Sequence, residues 1–478
     1  MSRTIYRLLL PLEFPEGLAP GEGREGNLLT FSRDGMGRPV LRGTALAGAL
    51  RHAWARDKGV RADDEIVGNW FGYALEGNQV EDGSPSSLRV PDCTINDGRI
   101  GQQTRTHNII NRHTGAVLGK GLFSIQTLPP KSRTTACLWL HSEKMTDDEV
   151  QTFLTELVGL VKNGLTLGGH SARGIGRTVL VKPARYKVFH ADNIGEQAAW
   201  LDENREWRNN KFPDSGVVLD PPANARTPVF SLSLVLGIPA SEDVLIGDGQ
   251  GLDHEIEPQR IHCTDGLIRW KIPGSTLRGV FRGWFARLAA RAGESIADSC
   301  EKCREKDASL DGNDLSWGFD DKPTRERKQD ALGVNPARLN ELVKCPIMRL
   351  FGSSYSKGRI HIGDAISESP LDPDHPEKRP EEQVRAHVAV DRITGGANEG
   401  FFFKNTVLTG NVRFKTTITL ANPTEQEVQW LMGTLRALHL GILRVGTSKA
   451  SGRLCLLEQP EATGCHAEHF KNFSLSEE

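Results

Sequence analysis

The sequence lacks the features that define several common classes of protein. No apolar run approaches the roughly 18 residues of a transmembrane helix, and residues 1–14 hold too short an apolar stretch for a secretory signal. The 478 residues include only eight cysteines, irregularly spaced, so no disulfide framework is expected and a reducing cytoplasm is the favoured location. The net charge is −2, so any nucleic-acid ligand must bind at a local basic patch.

Composition favours a packed globular protein with no membrane partner. Hydrophobic residues make up 38% of the chain and charged residues 25%, and the 50 glycines indicate many loops. At about 100–200 residues per domain, two domains are the simplest arrangement.

Five short motifs occur twice, in the same order, which indicates a tandem duplication. The pairs are Pro39–Gly48 with Ile272–Gly279, Trp70–Gly72 with Leu350–Gly352, Arg89–Asp92 with Arg359–Asp364, Arg105–Gly115 with Arg385–Gly395, and Gly168–Arg177 with Val445–Arg453. Repeat one is placed at residues 1–187, a polar linker at 188–226, and repeat two at 227–478, with a Cys-containing insertion at about 296–346.

Each repeat has the pattern of an α+β domain. An apolar opening strand precedes a helix, alternating strands, a second helix and a closing strand, which fits a split β-α-β-β-α-β, ferredoxin-like plan. Thr44 and Ser275 are expected to cap the first helices, and the linker is expected to hold a short helix at 196–207.

Two stretches of repeat one point to a phosphate backbone as ligand. Residues 98–142 and 157–191 each hold six Lys or Arg and no Asp or Glu, whereas a merely solvated face mixes both signs. A structural turn remains the alternative for the glycine-rich loops. The residues expected to contact RNA are Arg42, His107, Arg112, Thr114, Arg173, Arg177, Ser275, Arg278, His387, Arg392, Thr394, Lys449 and Arg453.

Both copies of the fourth motif are followed by a glycine-rich, apolar segment, at 116–123 and 396–403. Each is predicted to form a protruding hairpin. Three consecutive phenylalanines, residues 401–403, either wedge between bases or pack into the core, and the sequence does not decide between these readings.

Cysteines in repeat two have the spacing of a structural zinc site. Cys300 and Cys303 form a C-x-x-C motif and Cys345 follows the insertion, with Cys263 or its neighbour His262 as the candidate fourth ligand. Three unlinked thiols are the alternative.

Long polar loops before the first helix of each repeat carry candidate catalytic acids. Asp34 lies in the first loop, and Asp248, Asp253 and Asp265 lie in the second. An aspartate beside bound RNA can orient a 2′-hydroxyl or hold a divalent ion. The alternative is a turn or capping role for each.

The motif set resembles the RAMP superfamily, in particular the Cas-seven backbone subunits of type III CRISPR effectors. The residues that carry the resemblance are Ile272–Gly279, Leu350–Gly352, Asp391–Gly395 and Val445–Arg453, with looser copies in repeat one. The two-in-one arrangement resembles the fused backbone proteins of the type III-D group.

This resemblance implies tandem modified ferredoxin-like (RRM-like) domains with thumb hairpins, in a prokaryotic cytoplasm. It implies binding of CRISPR RNA, complementary target RNA and other type III effector subunits. It also implies cleavage of the target by a loop aspartate with Mg²⁺ or Mn²⁺. Asp253 fits that role best, while the same offset in repeat one reaches Glu22, so repeat one is expected not to cut.

Two other functions stay open at this point. One is a non-catalytic RNA-binding scaffold. The other is a metal-independent endonuclease that processes guide RNA through His254 or His107.

Overall fold

A computed structural model shows a mixed α/β fold with several antiparallel sheets and few helices, compatible with the expected ferredoxin-like plan. The residues described are 4–60, 62, 64–73, 83–95, 103–107, 123–142, 145–168, 174–208, 215–221, 228–247, 256–294, 345–352, 358–371, 381–391, 393–410, 412–446 and 451–475. Within these residues, no helix is both long and apolar enough to cross a membrane.

The first half of the chain is built around one long central strand, β1. Its elements are β1 (Thr4–Phe14), β2 (Gly21–Glu25), β3 (Leu28–Phe31), β4 (Val40–Leu41), α1 (Gly43–Lys58), α2 (Glu65–Phe71), β5 (Leu88–Arg89), β6 (Cys93–Thr94), β7 (Gln103–His107), β8 (Phe123–Thr127), β9 (Ser132–Ser142), α3 (Asp147–Lys162), β10 (Leu165–Thr166), β11 (Arg177–Leu180), β12 (Ala184–His190), α4 (Ile194–Arg208) and β13 (Val217–Leu219). Strand β1 pairs antiparallel with β9 along one edge and with β11 and β12 along the other.

Alternation along β1 explains how this sheet buries both faces. Tyr6 and Leu8 point to a core shared with α1 and α3, while Leu9 points to the opposite face. There α4 packs with Trp200 against Trp139, at 6.0 Å between ring centroids. The polar span 188–226 thus contains a helix, and that helix covers the sheet of the first half.

The second half repeats the same order of elements. They are β14 (Val229–Gly237), β15 (Asp243–Val244), β16 (Arg260–His262), β17 (Ile268–Ile272), α5 (Gly274–Arg291), α6 (Pro346–Phe351), β18 (Ile360–Ile362), β19 (Ala365–Ser367), β20 (Glu382–Val390), β21 (Ala397–Thr409), β22 (Arg413–Ala421), α7 (Glu425–His439), β23 (Cys455–Leu456), β24 (Glu461–Gly464) and a 3-10 helix (Ala467–Asn472). Its core lies between the β14–β22 sheet and the helices α5 and α7.

Strand pairings recur in the two halves as well. The pairs β1–β9, β5–β9, β4–β6 and β7–β8 correspond in order to β14–β22, β18–β22, β17–β19 and β20–β21. The second long helix of each half starts with a capping box, Thr146 with Glu149 and Thr424 with Glu427. The two halves therefore place corresponding motifs at corresponding points.

Candidate nucleic-acid interface

The first helix of each half starts against an aspartate from the third repeated motif. The backbone N–H of Gly43 donates to Asp92 Oδ1, and that of Gly274 donates to Asp364 Oδ1, both at 2.8 Å. A carboxylate at a helix N-terminus also complements the helix dipole. The sequence-based expectation that Thr44 caps α1 and Ser275 caps α5 was wrong, because each lies one residue inside its helix.

Glycine is required at both helix starts because the neighbouring backbone comes too close for a side chain. A Cβ at Gly43 would lie 1.8 Å from the carbonyl oxygen of Val90, and one at Gly274 would lie 2.2 Å from that of Ile362. Packing within each half therefore explains why the repeated motif has glycine at both positions. Ser275, an expected RNA contact, is half-buried in the first turn of α5.

The fourth motif of the second half forms the tip of a long hairpin, β20–β21, which we call the thumb hairpin. Asp391 accepts hydrogen bonds from the backbone N–H groups of Ile393 and Thr394, each at 2.8 Å, and from the Thr394 hydroxyl. These bonds lower the pKa of Asp391, and Gly395 follows with a positive φ of 69°. The D-R-x-T-G pattern is thus a turn signature, with Thr394 exposed and Arg392 outside the described residues.

The thumb hairpin exposes apolar side chains that a monomeric protein would be expected to bury. Val384 is 65% exposed, Phe402 is 58% exposed, and Val388, directly opposite Phe402 across the ladder, is 47% exposed. Arg385 and His387 alternate with the valines and are also exposed. An exposed ribbon of this kind indicates a binding surface.

The hairpin of the first half, β7–β8, buries Arg105, which corresponds to the exposed Arg385 of the thumb hairpin. The ring of His107 stacks on Phe123 at 5.5 Å between centroids. Arg105 is buried and donates to Asp364 of the second half at 2.5 Å. Arg112 and Thr114 lie outside the described residues.

The glycine-rich loops bring backbone segments together. Gly176 donates its N–H to the carbonyl oxygen of Gly17, and Gly452 donates to that of Asp243 in the same arrangement. A Cβ at Gly176 would lie 2.2 Å from the carbonyl oxygen of Leu167, so glycine is needed here for packing. Arg173 and Lys449 lie outside the described residues.

Four of the expected RNA-binding arginines have protein partners. Arg177 donates to Glu16 at 3.0 Å, and Arg42 pairs with Asp92 at 2.9 Å. Arg278 of α5 is half-buried and donates to the carbonyl oxygens of Ile360 in β18, at 2.9 Å, and of Phe351 at the end of α6. Burial lowers the pKa of Arg278 to about 10. Arg453 donates to the carbonyl oxygen of His439 at 3.4 Å.

Two of the four candidate catalytic aspartates hold turns. Asp34 accepts from the backbone N–H groups of Met36 and Arg38 and pairs with the Arg38 side chain at 2.7 Å. Asp265 pairs with Arg269 at 2.7 Å. Desolvation raises the pKa of Asp34, but its hydrogen bonds lower it overall, while the bond from Arg269 lowers the pKa of Asp265. These matching Asp-x-x-x-Arg turns precede β4 and β17.

Asp248 and Asp253 lie outside the described residues, but the two ends of their segment are placed. A Cβ at Gly247 would lie 2.4 Å from Ile256 Cγ2, so the chain leaves and returns at one point. Ile256 bridges to Asn405 of β21, and its carbonyl oxygen accepts from the Thr406 N–H. Ile256 is therefore anchored on β21 of the thumb hairpin, with Gly247 beside it.

The candidate zinc cysteines are only partly placed. Cys345 is buried at the start of α6, within the core of the second half. Cys263 lies in the β16–β17 turn, where burial raises its pKa against the opposing influence of Arg269. Cys300 and Cys303 lie outside the described residues, so zinc stays a prediction. Among described side chains, the one group with metal-ligand spacing is His466, Glu468 and His469.

Ion pairing accounts for part of the two acid-free basic segments. Lys162, Arg105 and Arg177 are paired with carboxylates from elsewhere in the chain. Lys187 and Arg133 are paired as well. These long-range pairs weaken the inference from charge alone to phosphate binding.

The fold and the site together define a protein with two similar α/β halves, each with a hairpin beside a glycine-rich loop. The sequence model of the RAMP superfamily matches residues 16–179 and 243–453, more than three quarters of the chain. The chain therefore belongs to the RAMP superfamily, and the two matched segments are consistent with two fused repeats. Among curated proteins, none shows a significant sequence match.

Membership of this superfamily implies a CRISPR-associated RNA-binding function. RAMP proteins bind CRISPR RNA within multi-subunit complexes. The exposed thumb hairpin is the part of the described surface best suited to that role.

Proposed function

We propose that this chain is a backbone subunit of a type III CRISPR effector, with one RNA-binding repeat in each half. The observation that best supports this proposal is the exposed thumb hairpin of the second half. It presents Val388 and Phe402 on one face and Arg385 and His387 on the other. Apolar and aromatic side chains stack on bases, and cationic ones contact phosphate. A hairpin with both faces exposed suits insertion into a guide–target duplex.

We further propose that the second half cleaves target RNA through Asp253. The segment that holds Asp253 begins and ends beside the thumb hairpin, at Gly247 and Ile256. Asp265, the candidate of this loop that the structure does describe, already holds a turn with Arg269. Asp248 is one residue from Gly247 and Asp253 is three residues from Ile256, and Asp253 is proposed because its place before the Gly274 helix start fits the family resemblance best.

The corresponding loop of the first half does not offer this acid. Leu29 of the first half corresponds to Ile256, because Leu29 pairs with Ile125 as Ile256 pairs with Asn405. Asp253 lies three residues before Ile256, and the residue three before Leu29 is Gly26. Pro20 corresponds to Ile246, because their carbonyl oxygens accept from the corresponding N–H groups of Ser32 and Gln259. Asp253 lies seven residues after Ile246, and the residue seven after Pro20 is Asn27. Neither residue is a carboxylate, and the count back from the helix start reaches Glu22 and not an aspartate, so the first half is proposed to hold RNA without cutting it.

The chemistry assigned to Asp253 is orientation and proton transfer. Its carboxylate would orient the 2′-hydroxyl and accept its proton as the 2′-oxygen attacks the adjacent phosphorus; the 5′-oxygen of the next nucleotide would leave with a proton from water, and a 2′,3′-cyclic phosphate would remain. A bound Mg²⁺ or Mn²⁺ would stabilise the charge that develops on the phosphate oxygens. The thumb hairpin would keep the target nucleotide out of the duplex so that the 2′-hydroxyl reaches an in-line position.

The test uses the chain reconstituted with its guide RNA and partner subunits. With Mg²⁺ or Mn²⁺, Asp253→Asn should slow one target cut by about 10²-fold or more while guide binding is retained. Asp265→Asn is the matched control from the same loop and should cut normally. Unchanged cleavage by Asp253→Asn would remove Asp253 from the site. Binding without a cut in any metal would support a scaffold, and metal-independent cutting of a repeat hairpin would support guide processing.

A further inference from the structure

Two histidines and a glutamate come together near the C-terminal end of the described chain. The side-chain donor atoms of His466, Glu468 and His469 all lie within 4.8 Å of one another. The three residues follow β24, and the last of the repeated motifs ends before them, at Arg453. The cluster is therefore separate in sequence from every motif that the two halves share.

The local backbone explains why the two imidazole rings meet. His466 has a left-handed conformation, with φ 59° and ψ 16°, and directly precedes the 3-10 helix. The N–H of His469 donates to the carbonyl oxygen of His466 at 3.3 Å, which is the hydrogen bond of a 3-10 turn. Side chains three residues apart eclipse in such a helix, and the two ring centroids are 6.0 Å apart. The chain thus presents two nitrogen ligands side by side.

The 3-10 helix that carries this cluster is fixed to the core of the second half. Phe470, next to His469, is 2% exposed, and its ring centroid lies 5.4 Å from that of Phe230 in β14. Gln459 Nε2 donates to the carbonyl oxygen of Phe470 at 3.3 Å. Ligands on a fixed element lose less conformational freedom when they bind an ion, so the anchoring favours binding.

Carboxylates from two elements flank the rings. Glu468 Oε1 lies 4.0 Å from His466 Nδ1, and Glu425 Oε1, from the first turn of α7, lies 3.6 Å from His469 Nε2. Both distances are longer than those of hydrogen bonds. Imidazole nitrogens and carboxylate oxygens are ligands that Zn²⁺ takes in proteins. The cluster therefore has the donor types and the negative charge for a divalent cation.

We propose that His466, Glu468 and His469 bind a zinc ion, with Glu425 as the fourth ligand, and that the ion fastens the C-terminal 3-10 helix to α7. Donor atoms about 2.0–2.2 Å from a tetrahedral Zn²⁺ are about 3.3 Å from one another. The separations of up to 4.8 Å close by rotation of exposed side chains, because Glu468 is 63% exposed and Glu425 is 59% exposed.

The test is titration of the metal-free, full-length chain with Zn²⁺ by calorimetry and with Co²⁺ by visible absorption. His466→Ala and His469→Ala should each weaken binding at this site by about 100-fold or more, since losing even an outer partner of a ligand costs about 10–100-fold. His52→Ala, which removes an exposed histidine of α1, is the matched control and should bind as the wild type does.

The cobalt spectrum separates this site from the zinc site predicted at Cys300 and Cys303. The difference between the spectra of wild type and His469→Ala should contain d–d bands and no sulfur-to-cobalt charge-transfer band, because no thiolate is a ligand here. A charge-transfer band in that difference would overturn the proposed ligand set.

Hydrogen exchange of the wild type gives a second readout that needs no variant. Zinc should slow exchange of the amides in residues 461–473, because an ion that binds the folded segment opposes its local opening. Exchange that zinc leaves unchanged, or equal Zn²⁺ affinity in the wild type and both histidine variants, would overturn the proposal. Neither measurement involves RNA, so the outcome is independent of the proposed function.

Discussion

Replacing Arg105 should destabilise the protein far more than replacing Arg385, although the two occupy the same position in their hairpins. Arg105 is 4% exposed and its partner Asp364 is fully buried, whereas Arg385 is half exposed. Breaking a buried ion pair by removing one partner costs about 3–5 kcal/mol. Breaking an exposed pair costs about 0–1 kcal/mol.

The assay is urea unfolding of Arg105→Ala and Arg385→Ala, followed by tryptophan fluorescence and by circular dichroism, because the two halves need not unfold together. Arg105→Lys keeps the charge but loses the planar fork of donors, so it should fall between wild type and alanine. Equal losses for Arg105→Ala and Arg385→Ala would refute the assignment of Arg105 to a buried ion pair.

Three further predictions follow from burial and exposure. Burial raises the pKa of Glu16 above its ordinary value of 4.5. The contribution of Glu16 to stability is therefore greatest below pH 4.5 and is lost as pH rises through the raised pKa. Glu16→Gln should flatten this pH dependence in urea unfolding midpoints measured from about pH 4.5 to 8. Burial raises the pKa of Cys93 and Cys137 to about 12, so mass spectrometry should find both unalkylated after native treatment with iodoacetamide at pH 8; rapid labelling would contradict their burial. Phe402→Ala should weaken RNA binding by about 1–3 kcal/mol in fluorescence anisotropy, and Val181→Ala, also exposed, should not; equal affinities would exclude base stacking by Phe402.

Local patterns in the sequence predicted much of the architecture. Alternation in β1 and the repeated order of motifs predicted the opening strands, the first helices and the hairpins, because these depend on residues close together in the chain. The short helix expected at 196–207 corresponds to α4. The packing of α4 on the sheet could not be predicted from the sequence, because it depends on the contact between Trp200 and Trp139, which are far apart in the chain.

Long-range polar contacts were the main element that sequence reasoning missed. Asp92 and Asp364 belong to the third repeated motif, yet their role depends on contacts with Gly43 and Gly274, which lie 49 and 90 residues earlier in the chain. Thr44 and Ser275 looked like caps because local cap statistics favour them. The charge pattern places Arg105 in a phosphate-binding segment, whereas its partner in the structure, Asp364, lies 259 residues further along the chain.

The spacing of Asp and Arg in the two polar loops distinguishes the turn aspartates from the other candidates. Asp34 and Asp265 each lie just before the strand that leads into the first helix, and each is followed four residues later by an arginine, Arg38 or Arg269. An Asp in a loop commonly holds a turn by accepting backbone N–H bonds with its own side chain, and here an Arg four residues later pairs with the same carboxylate. That spacing separates the two turn aspartates from Asp253, which lacks such a partner in the sequence.

The most direct test of the central claim is a map of RNA–protein cross-links in the bound complex. Ultraviolet cross-linking of guide RNA followed by peptide mass spectrometry should give cross-links in both hairpins, at 103–127 and 382–409, to nucleotides separated along the guide. Cross-links confined to one half, or absent from both hairpins, would contradict a protein that binds RNA once with each of its repeats.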